Sequence, residues 1–276
     1  MSNYSEFAAR LPEAPVDIAN IVGSIPDLLQ GLALTVELTA FALIIGLLLS
    51  MPLAVLRVHK NPLIWAPVYG YIFFFRGTPL LVQIFLIYYG SGQFRPFLQD
   101  IGLWYLFREP YFCALLTLTL NTTAYTAEIL RGAIQAVPHG EVEAARACGM
   151  SNSLLYRRII LPKAFRLALP AYSNEVVFLF QSTSLVSIIT LMDLTGIARK
   201  IVARSFDVFE IYITAGVLYL IVTYLILWVF KKVEFNISGH LRDRALSNDP
   251  MALQSEAPLT GPASLSGKPA RASRDL

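Results

Sequence analysis

Five charged side chains within long apolar stretches of the sequence are candidates for function, because their chemistry is that of charge held away from water. They are Glu37, Arg76, Glu128, Glu175 and Glu210. An ionised group in a hydrocarbon layer is costly, so each needs a partner, water or a role in moving a polar molecule. Glu37 and Glu210 lie near the ends of their stretches, where solvation explains them. Glu128 precedes Arg131 on one predicted helix face, a spacing that favours an ion pair.

The sequence contains no arrangement typical of catalysis or of metal binding. The histidines are His59, His139 and His240, and the cysteines are Cys113 and Cys148. These residues are widely spaced and form no triad or metal-ligand pattern, and no nucleophile is paired with a base. The phosphate-binding pattern G-x4-G-K-[ST] is absent. We therefore predict no catalytic residue, cofactor site, metal site or nucleic-acid partner for this chain.

The elements that carry the polar residues are predicted to be transmembrane helices. Of the 276 residues, 55% are hydrophobic and 15% are charged, whereas about a quarter of the residues in soluble domains are charged. Five apolar stretches could each cross about 30 Å of hydrocarbon as a helix. They cover residues 28–56, 63–90, 111–134, 167–192 and 208–230. Continuous runs favour helices over a β-barrel, so we expect an all-α integral membrane fold with five transmembrane helices.

Lysine and arginine residues predict the orientation of the chain. They concentrate in the loop between the third and fourth spans and after the fifth span, and basic loops stay in the cytoplasm. The N-terminus is therefore expected outside and the C-terminus in the cytoplasm. Residues 1–27 are predicted to form an external or interfacial lead-in, residues 28–246 the transmembrane domain, and residues 247–276 a disordered cytoplasmic tail.

The second span is predicted to be interrupted at Arg76-Gly77-Thr78-Pro79. Pro79 has no N–H to donate to the carbonyl group of Phe75, so a kink or a break is expected there. We expect Arg76 to pair either with a carboxylate or with carbonyl groups that the break sets free.

The cytoplasmic loop at about residues 135–166 is predicted to contain two short helices. Pro138 suits the first turn of the first helix, and Gly149 suits the left-handed residue that ends it. Ser151 or Ser153 could cap the second helix, which Pro162 is expected to limit.

Small side chains in this loop would let another protein approach the backbone closely, which predicts a docking site. The loop has the spacing EAA-x3-G-x9-I-x-LP. The residues in this pattern are Glu143, Ala144, Ala145, Gly149, Ile159, Leu161 and Pro162.

This spacing resembles that of the membrane-spanning subunits of ABC importers. Further segments resemble the polar amino-acid permease family, namely FRGTP at 75–79, LNTTAYTAEILRGAI at 120–134, VPHGEVEAARA at 137–147 and ALPAYSNEV at 168–176. The segments PHGEVEAARA and LPAYSNEV are most similar to those of the M-type permeases of histidine, lysine, arginine, ornithine and opine importers.

The resemblance implies a type I ABC importer permease in the bacterial inner membrane. It implies that the seven residues of the loop pattern couple the chain to a cytoplasmic ABC ATPase dimer, which binds ATP-Mg. A Q-type sister permease would complete the membrane part, and an external solute-binding protein would deliver the cargo. The implied cargo is a polar, basic L-amino acid such as arginine, lysine, histidine or ornithine, moved by alternating access.

Polar residues of the second, third and fourth spans are expected to line the passage for this cargo. They are Arg76, Asn121, Thr122, Tyr125, Glu128, Glu175 and Ser184. Their side chains offer hydrogen-bond partners to the ammonium and carboxylate groups of an amino acid. The carboxylates of Glu128 and Glu175 would favour a cationic cargo.

Three other functions are open to such a sequence. A stand-alone ion-coupled secondary transporter is the main alternative, although no internal repeat is visible. An intramembrane enzyme would need clustered catalytic groups, which the sequence lacks. A scaffold would have no use for polar groups in the middle of the membrane.

Overall fold

The computed structural model describes residues 18–237, and every regular element in this range is helical. The elements are α1 (Ile18–Arg57), α2 (Pro62–Gly77), α3 (Leu80–Tyr88), α4 (Arg95–Asp100), α5 (Trp104–Phe107), α6 (Pro110–Gln135), α7 (His139–Ala147), α8 (Asn152–Leu155), α9 (Leu161–Ser182), α10 (Leu194–Ser205) and α11 (Val208–Ile237). Single-turn segments follow α3 at Gly90–Phe94, α8 at Tyr156–Ile160 and α9 at Thr183–Ile189. Residues 1–17, His240 and the predicted tail at 247–276 lie outside the described residues.

The helices up to Glu234 form one packed unit, and a second unit begins at Phe235, of which the end of α11 is described. Helix α1 begins at Ile18, so residues 18–27 of the predicted lead-in are helical.

All five predicted spans coincide with helices, but two of them are interrupted. Among the described residues, α1 and α11 are long and apolar enough to cross a membrane as single helices. Helix α2 and the segment Leu80–Asp100, which contains α3 and α4, meet at 106° across the break. The chain from α8 to α10 bends by 49° before α10. Counting each bent pair as one span gives up to four candidates. The number five therefore stays a prediction.

Helix α6, the third predicted span, is the central helix of the unit. It packs against α1, α2, α3 and α9. Its sequence is less apolar than that of α1 because it carries many threonines, and those at Thr117 and Thr123 donate their hydroxyl groups to carbonyl groups four residues earlier. Since these positions are buried against other helices, the helix does not need an apolar surface for lipid.

The break between α2 and α3 follows from the local sequence. Asn61 caps helix α2, since its side chain accepts a hydrogen bond from the Leu63 amide at 3.0 Å. Pro62 follows in the first turn of the helix. The helix ends at Gly77, and Thr78 is extended with φ −115° and ψ 145°. A residue before proline is pushed out of the helical region. The predicted interruption at Pro79 is thus confirmed as a complete break.

Helix α10 is held against α1 by a close approach of their backbones. Gly31 of α1 is buried, and a Cβ atom placed on it would lie 2.8 Å from the carbonyl oxygen of Asp193. The Leu194 amide donates to the Thr35 hydroxyl at 3.1 Å. The Asp193 carboxylate caps α10 by accepting from the Gly196 amide at 2.9 Å.

We predict that Gly31→Ala lowers the stability of the folded chain, because the added methyl group meets backbone atoms that cannot move aside cheaply. The expected loss is about 1–3 kcal/mol, as for other overpacked sites. Gly23→Ala is the matched control, since Gly23 lies in the same helix with nothing within 4 Å of its added Cβ atom. Thermal unfolding in detergent measures both, and equal melting temperatures would contradict the constraint.

Candidate functional site

The first helix of the loop after α6, α7, is anchored to the rest of the molecule on one side. Ala145 is buried and packs in the same apolar cluster as Leu155, Ile160 and Ala164. Glu141, in the first turn of α7, forms an ion pair with Lys163 near the start of α9. These contacts hold α7 in place on the apolar cluster.

The opposite side of the loop is exposed. Glu143, Ala144 and Gly149 are exposed, whereas Ile159 and Leu161 are partly buried and Pro162 is exposed. The pattern residues therefore divide into an inner set, which fixes the loop, and an outer set, which can meet another protein.

Gly149 has the left-handed conformation that the sequence predicts, with φ +77°. Its amide donates to the Arg146 carbonyl group at 2.9 Å, and the Met150 amide donates to the Ala145 carbonyl group at 3.1 Å. These two bonds form a Schellman motif, which satisfies the last carbonyl groups of a helix. Glycine adopts this conformation without the steric cost that a Cβ atom brings.

The prediction that Pro162 limits the second loop helix is wrong. Ser151 caps α8 by accepting from the Leu154 amide at 3.4 Å, as one of the two predicted caps. From there the chain stays helical through a π segment at Tyr156–Ile160 and into α9. Pro162 lies in the first turn of α9, where a missing N–H is tolerated because the π segment already interrupts the regular α-helical bonding.

A polar network fills the break between α2 and α3. The Gln83 side-chain nitrogen lies 2.8 Å from the Phe75 carbonyl oxygen, 3.0 Å from the Thr78 carbonyl oxygen and 2.8 Å from Thr78 Oγ1. Gln83 Oε1 accepts from Asn121 Nδ2 of α6 at 2.9 Å. Gln83 is only 2% exposed. The Phe75 and Thr78 carbonyl groups at the break are therefore bonded by Gln83, and not by Arg76 as one of the two predicted pairings has it.

Arg76 lies beside an acidic residue and an aromatic ring of α6. Its guanidinium group is 4.0 Å from Glu128 and 5.3 Å from the centre of the Tyr125 ring. Glu128 is held more tightly by Arg131, with two hydrogen bonds of 2.9 and 2.6 Å. The predicted ion pair between Glu128 and Arg131 is thus confirmed. The Arg76 side chain keeps 41% of its surface exposed, so part of it is free to bind a solute.

Glu175 and Thr122 form a separate buried contact. The Thr122 hydroxyl donates to the Glu175 carboxylate at 3.0 Å, and both residues are almost fully buried. Ser184 lies in the turn after α9, and its hydroxyl donates to the Gln181 carbonyl group at 2.8 Å. Outside this region, Glu37 accepts a hydrogen bond of 2.7 Å from the Tyr111 hydroxyl.

Three of the seven predicted passage residues line one cleft at the break. The cleft has a volume of about 320 Å³. It is lined by Arg76, Gly77, Thr78, Pro79, Leu80, Asn121, Tyr125 and Phe178. Glu128 adjoins it through Arg76, whereas Thr122, Glu175 and Ser184 are not among its lining residues. The cleft offers a guanidinium group, an amide and an aromatic face to a small polar molecule.

Gln83 is the residue that sequence reasoning missed. Its signal was present, since Gln83 is a lone polar residue in the apolar segment LLVQIFL, four residues after Pro79. A polar side chain one turn after a helix break is well placed to reach the carbonyl groups that the break sets free.

No group of three or more histidine, cysteine, aspartate or glutamate residues in the described range could hold a metal ion.

Comparison with known proteins places the chain among bacterial transport proteins. The family described as binding-protein-dependent transport system inner membrane component matches residues 21–239. The chain is 47% identical to the nopaline transport system permease protein of Agrobacterium fabrum, over 87% of this chain and 99% of that protein. It is 44% identical to the histidine/lysine/arginine/ornithine transport system permease protein of Escherichia coli K12, over 77% and 89% respectively.

Solved structures show the same fold. A crystal structure of an amino acid ABC transporter with histidines has a chain that is 33% identical, with a TM-score of 0.71, and the match covers 80% of this chain and 98% of that one. An inward-facing structure of the methionine transporter MetNI, 21% identical, shares the fold with a TM-score of 0.60, and the match covers 77% and 95%. The chain therefore belongs to the family of binding-protein-dependent transport system inner membrane components, the multi-pass permease subunits of bacterial ABC importers.

Proposed function

We propose that this chain is the permease subunit through which an ABC importer moves basic amino acids or their opine conjugates across the inner membrane. Similar permeases are named for nopaline, octopine, and the group histidine, lysine, arginine and ornithine. Nopaline and octopine are themselves conjugates of arginine. The shared chemistry is thus a cationic nitrogen group beside at least one carboxylate, and this is the cargo class that we propose.

One observation carries the energy-coupling part of the proposal, namely the two-sided loop helix α7. Its buried side packs at Ala145, its exposed side presents Glu143 and Ala144, and the exposed Gly149 follows its C-terminal end. Small side chains allow close approach of a partner, and Glu143 supplies a charge at the rim. We infer that this exposed side docks on a cytoplasmic ABC ATPase dimer, which binds and hydrolyses ATP-Mg, while this chain itself is non-catalytic.

The second arm of the loop would transmit movement of the ATPase into the membrane. Ile159, Leu161 and Pro162 lie where the π segment meets α9, and α9 continues to Glu175 and Ser182. A continuous helix transmits displacement along its axis because its backbone bonds resist bending. We therefore assign these residues to coupling, in a cycle of alternating access between an outward-open and an inward-open passage.

The cleft at the helix break is the proposed point of cargo contact. Arg76 would bind the α-carboxylate of the cargo, since guanidinium and carboxylate groups pair with two parallel hydrogen bonds. Asn121 and Tyr125 would contact its amino group, and the Tyr125 ring offers a face to a cation. Glu128 and Glu175 would add negative charge near the path, with Thr122 and Ser184 as hydroxyl groups further along it.

The arrangement in the membrane completes the proposal. Five transmembrane helices would place the N-terminus outside and the C-terminus in the cytoplasm, with α7 on the cytoplasmic side. A Q-type sister permease would form the other half of the passage, and an external solute-binding protein would deliver the cargo. Uptake that persists without any ATPase would instead favour the ion-coupled secondary transporter.

The cargo class can be tested with the whole complex in lipid. ATPase activity is measured with the binding protein present and with arginine, lysine, histidine, ornithine, octopine, nopaline, glutamine or glutamate. Stimulation by the cationic compounds and their conjugates alone supports the proposal, and stimulation by glutamine or glutamate overturns it.

We predict that Glu143→Arg abolishes uptake and weakens co-purification of the ATPase by about tenfold or more, since reversing a charge in a protein interface costs several kcal/mol. Glu109→Arg is the matched control, because Glu109 is an exposed glutamate outside the loop. Both variants should reach the membrane in normal amounts. Normal uptake by Glu143→Arg would rule out α7 as the ATPase dock.

We predict that Glu175→Gln lowers arginine uptake by about tenfold or more. The substitution removes the negative charge, and a hydrogen bond from the cargo to a charged group contributes about 1.5–3 kcal/mol. The glutamine side-chain oxygen can still accept a hydrogen bond from the Thr122 hydroxyl, so assembly with the ATPase should be unchanged. Glu37→Gln is the control, a neutralised glutamate bonded to Tyr111. Equal arginine uptake by both variants would remove Glu175 from the passage.

A further inference from the structure

We propose that Gln83 is a positioning residue, which turns the Asn121 side chain so that its carbonyl oxygen, Oδ1, is offered to the cationic nitrogen of the cargo. The inference rests on the proposed function, because it concerns a cationic cargo in the cleft at the helix break. It assigns a role to a buried residue that does not itself line the cleft.

The first step is the orientation of the Gln83 amide. Two of its neighbours are the backbone carbonyl oxygens of Phe75 and Thr78, at 2.8 and 3.0 Å. Carbonyl oxygens accept hydrogen bonds and cannot donate them. The NH2 end of Gln83 must therefore point to the break. Its oxygen, Oε1, is consequently turned toward α6.

The orientation of the Gln83 amide determines that of the Asn121 amide. Because Gln83 Oε1 can only accept, the Asn121 NH2 group must face it, and the two atoms are 2.9 Å apart. Asn121 Nδ2 also lies 3.4 Å from the Phe75 carbonyl oxygen. Both contacts turn the nitrogen of Asn121 toward the break, and the opposite orientation would set two acceptors against its oxygen.

The third step concerns the Asn121 oxygen. No donor in the described part of the chain bonds to Asn121 Oδ1, although only 3% of the Asn121 surface is exposed. Asn121 lines the cleft together with Arg76. An ammonium or guanidinium group of the cargo supplies the N–H donors that this oxygen lacks, while Arg76 is available for its carboxylate.

The chain of three amide and carbonyl groups therefore sets the polarity of the cleft. An asparagine free to rotate would offer NH2 or oxygen equally, and would suit an anionic group as well as a cationic one. With Gln83 in place, the acceptor is fixed before the cargo arrives, so binding does not have to order the side chain.

The test compares Gln83→Met in two backgrounds. Methionine has a similar length and no hydrogen-bonding amide, so Asn121 loses its fixed orientation. In the second background, Asn121→Ala, no side-chain amide is left to orient, so Gln83 should no longer affect binding of the cargo. Dissociation constants are measured for arginine and octopine on the complex with its ATPase and sister subunit in nanodiscs, without the binding protein.

We expect Gln83→Met to weaken binding of the tighter of these two probes by about tenfold. The same substitution should change the affinity little when Asn121 is already Ala, since Gln83 is proposed to act through the Asn121 side chain. An equal loss in both backgrounds would overturn the proposal, because it would mean that Gln83 acts only by holding the helix break. No loss in the wild-type background would overturn it as well.

Thr117→Val is the matched control, as it removes a buried side-chain hydrogen bond one turn before Asn121 on the same helix. It should leave both affinities unchanged. If Gln83→Met does not assemble, Gln83→Asn replaces it, because its amide is one methylene group too short to reach both partners. Failure of the proposed function is distinguishable: the unmodified complex would then bind neither arginine nor octopine.

Discussion

A polypeptide inside a membrane must satisfy its own backbone hydrogen-bonding groups, and this requirement determines how the polar interior of the protein is built. The break at Thr78 and Pro79 sets carbonyl groups free where lipid cannot supply a donor. Gln83 provides donors from the next turn, and its oxygen then requires the amide of Asn121. A break in one helix thus fixes a side chain on the central helix, and a polar cleft forms where the two meet.

Polar residues in this fold lie where neighbouring helices cover them. Helix α6 carries several threonines and Asn121, yet most of these polar side chains are buried against other helices. Helix α11 is more apolar and exposes large side chains such as Leu220, Ile221 and Tyr224, as suits lipid or another membrane subunit. The helix that looks least like a span in the sequence is consequently the one around which the others pack.

Sequence reasoning succeeded where the cause is local. Proline at 79, the Glu128 and Arg131 spacing and the glycine that ends α7 each act within a few residues, and the structure agrees with all three. It failed where the cause is a distant contact. The bond from Asn121 to Gln83 joins α6 to α3, which are 38 residues apart at these positions. The prediction that Pro162 limits the second loop helix was wrong because the effect of this proline depends on the π segment that precedes it. The cleft combines both kinds of cause, so its residues could be named but not its internal bonds.

The π segment at Tyr156–Ile160 also sets which way the rest of its helix faces. The Leu161 amide donates to the Tyr156 carbonyl group, five residues earlier instead of four. The extra residue rotates all following side chains by about 100° relative to an unbroken α-helix. The phase of α9, and with it the contact of Glu175 with Thr122, is therefore set before α9 begins. Inserting or deleting one residue here would therefore rotate all of α9, whereas a substitution that keeps the π segment would leave its phase unchanged.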